Sequence, residues 1–189
     1  MQFFIPTLTT LLSLSSALPL TARWPTVTSV ILPPSVLSQY SISTGAINYD
    51  TATGLVSKTG DGKDTSTLAT FDIPPSLKGY TCSLHFYLDA GDSVASVSGS
   101  GLIDVYSSLK PAPAYDVPAW GPPGNQRDQH YGRLSVVEAG EATVQEGHPV
   151  TVKGFPCPGE GPVGFEIVGV YDQVGVAWDP TYSGLYLVY

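Results

Sequence analysis

The stretch Thr81-Cys-Ser-Leu-His-Phe-Tyr-Leu88 decides the fold. Read with a period of two, it sets Cys82, Leu84, Phe86 and Leu88 on one face and Thr81, Ser83, His85 and Tyr87 on the other. That alternation is the signature of a strand with one face buried and the other wetted. Cys82 therefore points into a core and His85 points out of it. The same reading extends outward. Val163, Phe165 and Ile167 alternate with Gly164 and Glu166; Val174, Val176 and Trp178 alternate with Gly175 and Ala177; Leu185 and Leu187 close the set. Further strands are expected over residues 67–73, 96–107, 133–138, 142–146 and 150–155. Between them lie turn signals such as Asp89-Ala-Gly-Asp92 and Glu138-Ala-Gly-Glu141. No stretch carries a capped helical period. The expectation is an all-β chain, an antiparallel β-sandwich of about nine or ten short strands.

Length and composition agree with this reading. The chain has 189 residues, which is enough for one domain. Its 20 Gly and 17 Pro make it rich in turns yet short of the composition at which disorder becomes the rule. With 13% charged residues and a formal net charge of −8, it has no electrostatic grip on nucleic acid or on an anionic membrane.

Residues 1–17 carry no charged side chain, are rich in Leu, Ser and Thr, and end on Ser15-Ser-Ala17, which reads as a secretory signal peptide. The apolar run is too short for a membrane span and is bounded by Pro6 and Pro19. Residues 18–64 form a Ser/Thr/Pro-rich arm that leads into the first strands, and 65–189 form the sandwich proper. We expect a secreted, extracellular protein, held in or near a cell wall. Cys82 and Cys157 suit an oxidising compartment. Paired, they staple the sandwich with one disulfide; the alternative is two buried free thiols.

Chemistry is harder to find. His85, His130 and His148 lie in different elements, with no spacing that makes a metal site. No metal or other cofactor is expected. Ser98-Gly-Ser-Gly101 has the wrong spacing for a nucleophile elbow and reads as a bulge within a long strand. Asp61-Gly-Lys-Asp64 lacks the later ligands of a calcium loop. Sixteen acidic residues allow a glycosidase-like carboxylate pair, but the sequence selects none. The rhythm of strands breaks only over 110–131, a long loop with five prolines that carries Tyr115 and Trp120 and ends on Tyr131. These three rings are the candidate ligand-binding residues, a stacking platform for a sugar. The plainer reading, that they pin the loop to the sandwich, is favoured over it.

Phe71-Asp-Ile-Pro74, Gly79-Tyr-Thr-Cys82-Ser-Leu-His-Phe86, Ser98-Gly-Ser-Gly101, Asp104-Val-Tyr106, Cys157-Pro-Gly159 and the closing strands from Val163 together resemble the fungal "But-two" C-terminal domain family, named for a Uba-three-binding protein. The resemblance covers about residues 65–189. Tyr80 departs from the expected lysine, and the 110–131 loop looks like an insertion. The resemblance implies a fungal β-sandwich found outside the cell or at its surface, and it brings no catalytic residues. Its name suggests a partner in the ubiquitin-like pathway, which is intracellular and sits badly with a signal peptide. The expected function is therefore a non-enzymatic extracellular module with cell-wall polysaccharide as its partner. A carbohydrate-binding module built on the loop aromatics comes second, and a hydrolase third.

Overall fold

The computed structural model describes residues 24–25, 30–115 and 126–189. The leader expected over 1–17 and the residue Trp120 lie outside them. Among the described residues there are fifteen strands, two short 3-10 turns and no α-helix. Five of the fifteen strands span only two residues and ten are longer; two of the ten, Val36–Ser41 and Gly54–Lys58, lie outside the strands that the alternation places.

The strands form two antiparallel sheets. In the smaller, β1 (Ile31–Leu32), β15 (Gly184–Val188), β6 (Thr81–Leu88) and β10 (Gly140–Glu141) lie in that order, and β12 (Phe155–Pro156) also pairs with β6. The larger runs β11 (Thr143–Val144), β9 (Arg127–Ser135), β8 (Leu102–Ser108), β13 (Gly161–Gly169), β5 (Thr65–Ile73), β4 (Gly54–Lys58), β14 (Val174–Trp178) and β7 (Ser96–Gly99). The remaining pair, β2 (Val36–Ser41) and β3 (Ile47–Asn48), joins it through β5. Residues 30–64 thus supply β1 to β4 and belong to the same two sheets as the rest.

The alternating faces meet between the sheets. Cys82, Leu84, Phe86 and Leu88 from β6 and Phe165, Ile167, Val176 and Trp178 from the larger sheet are all buried. Phe86 meets Trp178 edge to face at 5.1 Å, and Phe71 meets Phe165 at 5.8 Å. Trp178 fits because Gly54 and Gly184 lie against its ring; a Cβ at Gly54 would fall inside the indole.

Two strand expectations are corrected. Residues 96–107 do not form one bulged strand, because Gly99 and Gly101 both take positive φ and turn the chain from β7 into β8. Nor is 150–155 a strand. Thr151–Lys153 is a 3-10 turn that drives Val152 into the core opposite Gly132, where no Cβ stands in its way.

Cys82 and Cys157 are joined, with Cα atoms 4.8 Å apart and a sequence separation of 75. The bond ties the central strand of the smaller sheet to the segment that enters β13. Closing a loop of this size is worth about 4–5 kcal/mol in the chain-entropy account. The double variant Cys82→Ala/Cys157→Ala should lower the free energy of urea unfolding by about that amount. An unchanged midpoint would show that other contacts already hold the loop.

Candidate functional site

The outer face of the larger sheet should be wet, since antiparallel sandwiches turn polar residues to solvent. Here it is partly covered. The chain leaving β8 folds back over β5 and β13, where Thr70 Oγ1 donates to the Ala112 carbonyl at 2.8 Å. Gly164 permits this approach, because a Cβ there would come within 2.9 Å of Pro111. Under the flap, Tyr40, Leu68 and Ala112 form a second, small apolar cluster.

Beside that cluster Glu166 is only 2% exposed. Its carboxylate accepts Arg127 Nη2 at 2.8 Å and Nε at 3.1 Å, and Ser66 Oγ donates to it at 2.7 Å. The guanidinium sits 4.8 Å over the Tyr106 ring. On its neighbour strand, Tyr106 stacks with His130, their centroids 4.7 Å apart. His130 Nε2 lies 3.3 Å from Asp104, which accepts two bonds from Arg133 at 2.8 and 2.9 Å. Arg133 in turn lies 5.7 Å from the ring of Tyr171, which is 62% exposed. The result is one continuous row of alternating charges and rings, Glu166, Arg127, Tyr106, His130, Asp104, Arg133 and Tyr171.

Register builds the row. Glu166 stands opposite Tyr106 across β13 and β8, while β9 sets His130 opposite Tyr106 and Arg133 opposite Asp104. An irregularity between Val105 and Tyr106 admits one extra residue on β9. Without it, Tyr131 would share the outer face with Arg133. With it, His130 turns out and Tyr131 turns in, packing edge to face with Phe155 at 5.1 Å and Phe165 at 5.4 Å.

The candidate rings of the Pro-rich loop are therefore placed as follows. Tyr131 is inside the sandwich, Tyr115 is 69% exposed where the described part of the loop ends, and Trp120 is outside the described residues. His130 belongs to the row with His148 near it, at 6.3 Å between centroids. His85 lies on the opposite side of the molecule, on the outer face of the smaller sheet. The arginine row escaped the sequence reading, since its members come from three strands and the turn after β13, and two register shifts between β8 and β9 align them. Both buried carboxylates in it, Asp104 and Glu166, are committed to arginines.

Electrostatics hold the two arginines of the row in their charged form. The hydrogen bond that Arg133 donates to Asp104 raises the Arg133 pKa against the opposing effect of burial, and the charge of Asp104 adds to this. For Arg127, burial pulls the pKa down, but the hydrogen bond and charge of Glu166 outweigh it and the net shift is upward. Burial, then the charge of Asp104, raises the Tyr106 phenol. Burial does the same to Tyr131.

Fold and site together define a disulfide-stapled all-β domain with a rigid polar row on one face. The chain belongs to the family described as "Ubiquitin 3 binding protein But2 C-terminal domain", whose model matches residues 33–183. No curated protein matches the chain. The family match corrects the expected partner: the family's description names a ubiquitin-pathway protein, which conflicts with cell-wall polysaccharide.

Two outcomes test the row. Glu166→Gln strips Arg127 of its counter-charge in a buried setting and should cost about 3–5 kcal/mol in denaturant unfolding, whereas Arg127→Met with Glu166→Leu should recover most of it. The raised tyrosines stabilise the fold fully below the ordinary phenol value, about pH 10, and that stability falls away as the pH climbs toward their folded values. Unfolding followed from pH 8 to 11 should show the decline, and Tyr131→Phe should flatten it.

Proposed function

We propose that this domain is an exported module that recognises a protein partner through the row on its larger sheet. The observation that carries the reading is the composition and rigidity of that row. Arginine and tyrosine dominate the energetic centres of protein interfaces, and side chains already locked by neighbours lose little freedom on binding. Arg133 is held by two bonds to Asp104 and leads to the exposed ring of Tyr171, so charge and apolar area are offered together. The family description supports a protein as the class of partner. The Cys82–Cys157 bond supports an oxidising compartment as the place where the domain works, because such bonds persist outside the reducing cytosol. The uncharged run ahead of Arg23 supports export by the secretory route.

The Uba-three protein, for whose binding the family is named, is the first probe. Titration calorimetry should give a saturable complex that Tyr171→Ala weakens by about 10- to 30-fold, the effect of losing an interface centre worth about 2 kcal/mol. Equal binding by the variant would remove the row from the interface. The protein recovered from culture medium should have the mass of a chain lacking its first 17 residues and two hydrogens. Retention in the cell with two free thiols would overturn export.

A further inference from the structure

The smaller sheet carries a second constellation on its outer face, away from the arginine row. Ser83 and His85 sit two apart on β6 and so point the same way. Ser83 Oγ is 3.0 Å from His85 Nε2, and His85 Nδ1 is 3.1 Å from Glu141 Oε1. The other oxygen of Glu141 accepts the Tyr186 hydroxyl at 2.8 Å. The Tyr186 ring lies under His85 at 5.3 Å, nearly parallel to it, and fixes the imidazole.

The proton positions follow from these partners. A carboxylate only accepts, so Nδ1 carries hydrogen; Nε2 then keeps its lone pair and faces the serine hydroxyl. Burial, together with the hydrogen bond to Glu141, keeps the Tyr186 phenol protonated far above neutrality. Glu141 is therefore oriented on one oxygen by tyrosine and on the other toward histidine. This is the arrangement in which a serine is activated by a base that a third group aligns.

The backbone adds a donor. β10 pairs only with Tyr87 and Leu88, and β12 only with Thr81 and Cys82. On that edge of β6 the Phe86 carbonyl accepts the Ala142 amide at 2.8 Å. By the two-residue period, Leu84 turns its N–H to the same edge, at a place where neither short strand has a residue opposite. A cavity of about 150 Å³ opens there, lined in part by Leu84, His85, Glu141, Ala142, Val144 and Lys153. His85 and Glu141 remain 38% and 40% exposed, open to a small molecule from solvent.

We propose that Ser83, His85 and Glu141 form a nucleophilic relay that cleaves small activated esters, with the Leu84 amide facing the developing oxyanion. Ser83 Oγ attacks the ester carbonyl and gives its proton to His85 Nε2. The bond from carbon to the alcohol oxygen breaks, and the alcohol leaves with that proton. Water then attacks the acyl-serine, His85 again relays the proton, and the carboxylic acid departs with the serine restored. General-base assistance contributes about 10²- to 10⁴-fold, and one amide donor is a thin oxyanion cradle. That limits the substrate to small esters with good leaving groups.

The full chain should be treated with a fluorophosphonate and, separately, with p-nitrophenyl acetate, and the adduct located by peptide mass spectrometry. We expect one adduct on Ser83, release of p-nitrophenol, and loss of both in Ser83→Ala. Ser93→Ala, in an exposed turn, should leave both unchanged. His85→Ala, and more mildly Glu141→Gln, should slow labelling by about 100-fold or more for the former, with circular dichroism confirming the fold. No adduct on Ser83, or equal labelling of folded His85→Ala, overturns the proposal. Either result is independent of binding at the arginine row.

Discussion

A carboxylate withdrawn from water costs several kcal/mol unless charge and hydrogen bonds replace the lost hydration, and Glu166 sets that demand at the middle of the larger sheet. The surrounding structure meets it. Ser66 on the adjacent β5 and Arg127, reaching over β8 from β9, bind the same carboxylate, and the flap at Pro111-Ala112 covers it. Tyr106 then covers the guanidinium, His130 covers Tyr106, and Asp104 with Arg133 repeats the pair further along. A face that antiparallel sheets normally give to solvent is thus an ordered polar layer. Its value lies in specificity of register, since a slip of β9 by one residue would strand both carboxylates.

The two outer faces use different physics. The larger sheet presents charges already neutralised in pairs, with one exposed ring at the end, a surface suited to docking without rearrangement. On the smaller sheet a histidine stands between a hydroxyl and a carboxylate beside an interrupted ladder. Short partners β10 and β12 create that interruption, and the disulfide beneath it holds Cys82, one residue from Ser83, against the core.

Much of the architecture was legible because burial imposes a period of two. Cys82, Leu84 and Phe86 face inward as the alternation requires, as do Val174, Val176 and Trp178. Tyr131 was not legible: a bulge moves it from the surface to a place between Phe155 and Phe165, and one extra residue leaves no mark on composition or periodicity. Val150 to Phe155 alternates well enough to suggest a strand, yet the missing Cβ of Gly132 lets Val152 plug the core from a 3-10 turn instead. The sites were less legible still. Ser83 and His85 share a strand face in the sequence, but Glu141 comes from 56 residues later, and only the pairing of β10 with β6 joins them.

The strand order also governs assembly in time. The two central strands, β5 and β6, take their long partners β13 and β15 from the last thirty residues of the chain, and Cys82 must wait for Cys157. Neither sheet can therefore close while the C-terminal segment is still being synthesised, and the ladder edges of β5 and β6 stay open until it emerges. Such long-range pairing makes folding slow and leaves unpaired strands open to self-association. In a domain of this topology the disulfide closes only after Cys157 has been made, so the open ladder edges are exposed longest just before the fold is locked.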